Sequence, residues 1–147
     1  MTATAHALIG GAIAASISNP AIGLPLAALS HPFADMIPHW DFGLGWRKKK
    51  KLQLFLESLL DLTFGLVVTY LFFGKGVDLT YLFTAVFLSL VWDFMQMPYL
   101  LFNWKFPPFS TFYKFQHEIN RAASLPWGIL TQAATVYGVV LALRFVH

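Results

Sequence analysis

The chain has 147 residues, 57% of them hydrophobic and only 12% charged, with a mean hydropathy of +0.61. An ordinary soluble domain carries about 25% charged residues, and a domain this small must cover much of its surface with polar groups. The composition excludes a disordered chain, a coiled coil and a nucleic-acid-binding arm, and it points to a polytopic membrane protein. Net charge is +3 and there is no cysteine, so disulfides, thiolate metal sites and cysteine nucleophiles are excluded.

In chain order, residues 3–18 are apolar and rich in Gly and Ala. No Lys/Arg region precedes them, so they read as a retained helix and not a cleaved signal. Asn19-Pro20 is a turn signal. Residues 21–37 are apolar again, interrupted by Pro25 and Pro32, with a kink expected near Pro32. Residues 38–51 form a loop that ends in a basic run. Residues 52–74 and 79–103 read as two long spans. Pro107-Pro108 then breaks the chain, and residues 110–123 suit a helix lying in the interface, with Phe112, Phe115 and Ile119 on its apolar side. Residues 125–146 read as the last span. The expected fold is an all-α, polytopic membrane helix bundle of about five helical segments plus a short interfacial amphipathic helix, as one domain over 1–147.

If all five segments cross, the N-terminus, loop 38–51 and loop 104–124 share one side. That side holds eight of the ten Lys/Arg, at residues 47–51 and at Lys105, Lys114 and Arg121. It should be cytoplasmic. The expectation is an integral protein of a prokaryotic inner membrane with a cytoplasmic N-terminus. Expected partners are membrane lipids, with anionic headgroups at residues 47–51 and no nucleic acid.

The polar residues gather on that same side. Asp61 lies ten residues past Lys51, and Asp93 lies ten before Asn103. At about 1.5 Å per residue both sit roughly 15 Å from the basic edge. Neither they nor Asp35 have a Lys or Arg at i±3 or i±4. Each must be protonated, face water or meet a cation from elsewhere. His31 and Asp35 are four apart and share a helix face. His6 comes from the first helix, His39 and Asp41 from the rim, and His117 from the interfacial segment. Mixed imidazole and carboxylate ligands suit a divalent metal, zinc first with manganese or iron as alternatives, as one or two ions. His6, His31, Asp35, Asp61 and Asp93 are the expected metal ligands. His39, Asp41 and His117 are the expected acid/base groups.

Residues 29–41 (LSHPFADMIPHWD), following the helix that carries His6, resemble the small integral-membrane proteins classed as metal-dependent hydrolases, the YdjM-like group. That group is distantly similar to zinc-dependent phospholipase C, an all-helical fold with His and Asp ligands on helices. The resemblance implies places for Asp61, for Asp93 with Gln96, and for His117. It also implies a hydrolase acting on a lipid or lipid-linked phosphate ester. The alternative is a non-catalytic membrane protein whose buried His/Asp cluster binds a cation or proton.

Overall fold

The computed structural model describes residues 1–145, so His147 lies outside the described residues. It contains six α-helices, with no strand among the described residues: α1 Ala3–Ser16, α2 Pro20–Asp35, α3 Lys51–Phe73, α4 Leu79–Phe102, α5 Phe109–Ile119 and α6 Trp127–Leu143. A 3₁₀ turn, Trp46–Lys48, precedes α3. The expected segments are all present as helices, and the segment after Pro107-Pro108 is the short α5.

α1 is the central element. It packs against α2, α3, α4 and α6, and its buried residues are mostly small: Ala5, Ala7, Gly10, Gly11, Ala12 and Ala14. Small side chains let helix backbones approach closely. A Cβ added at Gly10 would lie 2.6 Å from Ser89 Oγ on α4. One added at Gly65 on α3 would lie 2.7 Å from the Cα of Thr4. These two glycines therefore set the spacing of α1 from α4 and from α3.

α3 and α4 are long and apolar enough to cross a membrane, whereas α1 and α6 are shorter apolar helices. Only 17% of the apolar window of α3 is buried. Leu60, Phe64 and Phe72 turn most of their surface outward. The caps follow the sequence. Thr2 and Asn19 accept from backbone N–H groups at the starts of α1 and α2, and Asp78 does so for α4. Asn103, in the left-handed region at φ 57°, closes α4.

α2 runs through both of its prolines to Asp35. Pro32 has no N–H to give the carbonyl of Ala28 one turn earlier. Trp92 on α4 supplies the missing donor, its Nε1–H reaching the Ala28 oxygen at 2.9 Å. The helix thus continues past Pro32 and keeps His31 and Asp35 on one face. Trp92→Phe should lower stability by about 1–3 kcal/mol by orphaning that carbonyl. Pro32→Ala restores a backbone donor, so the same Trp92→Phe change should cost clearly less in that background, as read by thermal melting in detergent.

Candidate metal centre

The site lies where α1, α2 and α4 meet, beside the chain that follows α2. His6, His31 and Asp93 each present one ligand atom, and these three atoms lie within 4.8 Å of one another. Asp35 sits among them, its Oδ1 3.1 Å from His6 Nε2 and its Oδ2 3.3 Å from His31 Nε2. The rings of His6 and His31 stack at 3.7 Å. His6 and His31 are fully buried, and Asp35 is 3% exposed.

Several contacts fix the orientation of these groups. His31 Nδ1–H donates to the Ser89 carbonyl at 2.7 Å, which leaves Nε2 as the nitrogen turned to the acids. Nε2 also lies 3.0 Å from Gln116 Nε2 on α5. Gln96 donates to Asp93 Oδ1 at 2.9 Å, one turn along α4. His39 Nδ1–H donates to the Ile37 carbonyl, and its Nε2 faces Asp41 Oδ2 at 3.4 Å and Asp35 Oδ1 at 3.7 Å.

The loop carrying His39 and Asp41 is held by backbone pairing with the segment after α5. His39 N–H donates to the Arg121 carbonyl, Ala123 N–H to the His39 carbonyl, and Arg121 N–H to the Asp35 carbonyl. Burial pushes the Asp41 carboxyl up, but the His39 imidazole and the Met1 ammonium outweigh it and hold Asp41 below the usual carboxylate range.

The donor chemistry fits a divalent cation. Among the described residues no Lys or Arg pairs with Asp35 or Asp93; the Met1 ammonium lies on Asp35. Two buried imidazole nitrogens, His6 Nδ1 and His39 Nε2, have no hydrogen-bond partner, nor does Gln116 Oε1. Buried polar atoms are seldom left so. Imidazole and carboxylate donors without sulfur suit zinc, manganese or iron.

Two expected residues, Asp61 and His117, lie outside the group of His6, His31 and Asp93 but line a cavity beside it. Asp61 serves the N-terminus of α1: its carboxylate accepts from Ala3 N–H at 2.6 Å, Thr4 N–H at 3.2 Å and Thr4 Oγ1 at 2.6 Å. A helix start presents unpaired N–H groups and a positive partial charge, and a carboxylate satisfies both. His117 is exposed on α5, stacks on Tyr113 at 5.7 Å and lines the same cavity as Asp35, Asp41 and Asp93. Sequence reasoning missed Gln116, Ser89 and Gln132, which accepts from Thr2 N–H. A glutamine in an otherwise apolar helix, as at Gln132, was the available signal.

The cavity, of about 660 Å³, opens beside the cluster, with Asp35, Asp41 and Asp93 at its wall. Asp61→Ala should lower the melting temperature, as losing a helix cap costs about 0.5–2 kcal/mol. It should leave the stoichiometry of bound metal intact, which plasma mass spectrometry would read, whereas His31→Ala should lose the metal. No family model, curated protein or solved structure matches the chain.

Proposed function

We propose that the chain is a polytopic membrane protein and a metal-dependent hydrolase of a lipid or lipid-linked phosphate ester, of the YdjM-like kind. The observation that carries the reading is the convergence of His6, His31 and Asp93 from three helices beside a cavity whose walls are otherwise largely apolar. The membrane assignment is supported by the apolar outer surface of α3. A helix in the core of a soluble protein would be covered, yet this one exposes Leu60, Phe64 and Phe72. The basic residues 47–51 mark the cytoplasmic side.

His6, His31 and Asp93 would hold the metal, zinc first, with Asp35 beside them. A bound divalent ion supplies a low-pKa water and polarises a phosphoryl oxygen. The chain's own residues do the rest. Asp41, at the cavity wall and ionised, accepts the proton of the attacking water. His39 stands beside it, its Nε2 3.4 Å from Asp41 Oδ2. Gln96 orients Asp93, and the Ser89 carbonyl fixes the His31 ring through Nδ1–H. Water adds to phosphorus, the ester P–O bond breaks, and the alcohol leaves with a proton.

The test is turnover of phosphate-ester lipids in nanodiscs supplied with zinc, manganese or iron. Release of the cleaved headgroup should need the metal and stop on chelation. Asp93→Asn and His31→Ala should abolish it. Asp41→Asn should slow it by about 10²-fold or more while metal stays bound, the range for a lost acid/base group. Stoichiometric metal with no turnover of any phosphate-ester lipid would favour the non-catalytic cation site.

A further inference from the structure

The cavity has two chemically different ends. Asp35, Asp41, Asp61 and Asp93 line one end. From there it runs as a trough between α3 and α4. Its α3 wall is built by residues 54, 55, 58, 59, 61 and 62, and its α4 wall by residues 90, 93, 94, 96, 97, 100 and 101. Both sets recur at three- and four-residue intervals, so each helix gives one face to the trough. Apart from Ser58, Asp61, Asp93 and Gln96 these residues are all apolar. The α3 wall spans eight residues, or about 12 Å.

α3 and α4 touch each other only sparsely, since both pack mainly on α1. The trough is open toward the outside of the bundle: Phe55 and Leu59, which line it, are 47% and 45% exposed. Water would be an unfavourable filling for such a wall. Its volume falls within the usual 300–1,000 Å³ of a small-molecule site.

The other feature is cationic. Arg47 and Lys48 line the same cavity. Arg47 is held from two sides: its guanidinium donates to Tyr113 Oη at 3.1 Å and lies 5.0 Å from the Trp46 ring centroid. A planar guanidinium so placed suits a phosphate. The four acids would repel an anion unless such a group drew it in.

We infer that the trough between α3 and α4 takes the hydrocarbon tail of an anionic phospholipid that enters sideways from the bilayer, and that Arg47, positioned by Tyr113, reads its headgroup phosphate. The inference rests on the membrane reading above, but it does not require catalysis. An apolar trough open to lipid, an acid cluster at its end and a braced arginine together match a molecule with one apolar and one phosphorylated end. A water-soluble phosphate ester would leave the trough unused.

The experiment uses the full chain in nanodiscs with a chelator present, so that binding is read without turnover. The probes are phosphatidic acid and phosphatidylcholine with the same diazirine-bearing tail, and crosslinks are mapped by mass spectrometry. Crosslinks should fall on the trough residues 59, 62, 94 and 97 and exceed those on the outward residues 60 and 64. Phosphatidic acid should be preferred about tenfold or more, and Arg47→Gln should remove that preference while Arg47→Lys keeps part of it. Leu62→Trp, which fills the trough, should suppress trough crosslinks without changing those at residue 60. Excess inorganic phosphate should not displace the lipid. Crosslinks confined to outward residues, or a headgroup preference unchanged in Arg47→Gln, would overturn the inference. Binding as described with no turnover would instead sink only the hydrolase reading. Turnover of a soluble phosphate ester without trough labelling would sink only the lipid trough.

Discussion

The cost of placing Asp35 and Asp93 inside an apolar bundle governs the rest of the structure. An ion of one sign cannot be taken out of water unless something compensates it. Here the compensation comes from groups brought together by the fold, since neither acid has a Lys or Arg one turn away on its own helix. His6 arrives on α1, and His31 on the same face as Asp35. His39 comes on the following loop, and the Met1 ammonium lies on Asp35. Each of these partners depends on a different packing contact, so the site and the bundle stand or fall together. Stripping one imidazole from the cluster removes a neighbour of the acids as well as a ligand.

That dependence explains the character of α1. It is the helix that α2, α3, α4 and α6 all pack against, and its small residues allow them to close around it. Its first turn begins at the depth of the acids and so needs its own anion, which Asp61 provides. Two carboxylates at matched depth thus have opposite tasks: Asp93 faces the imidazoles, and Asp61 faces a helix start. Trp92 plays a comparable part for α2, filling the gap that Pro32 leaves in the hydrogen-bond ladder and thereby keeping His31 in register with Asp35.

Much of this was legible in the sequence. The helical segments follow from runs of apolar residues bounded by Asn19-Pro20, the basic run and Pro107-Pro108. The gathering of His6, His31, Asp35 and Asp93 follows from their depth and spacing. What was not legible depends on which helix lies against which. Depth alone places Asp61 and Asp93 at one level, but it cannot say that α1 starts beside Asp61. The pairing of His39 with residues 121 and 123 joins parts of the chain more than 80 positions apart, and no local pattern announces it. The course of α2 past Pro32 was not legible for the same reason: the carbonyl that the proline leaves free is bonded by a tryptophan 60 positions later. His117 drew attention as a histidine near a cluster of others, yet its neighbour Gln116 is the residue that turns inward.

The central claim is that His6, His31 and Asp93 form one metal site inside the bundle. It is tested most directly by X-ray absorption at the metal edge on detergent-purified protein loaded with one equivalent of zinc. The expected spectrum has a shell of nitrogen and oxygen with the multiple scattering of two imidazoles, reduced to one in His6→Ala. Zinc that fails to bind at one equivalent, or a spectrum without imidazole that His6→Ala leaves unchanged, would contradict the account.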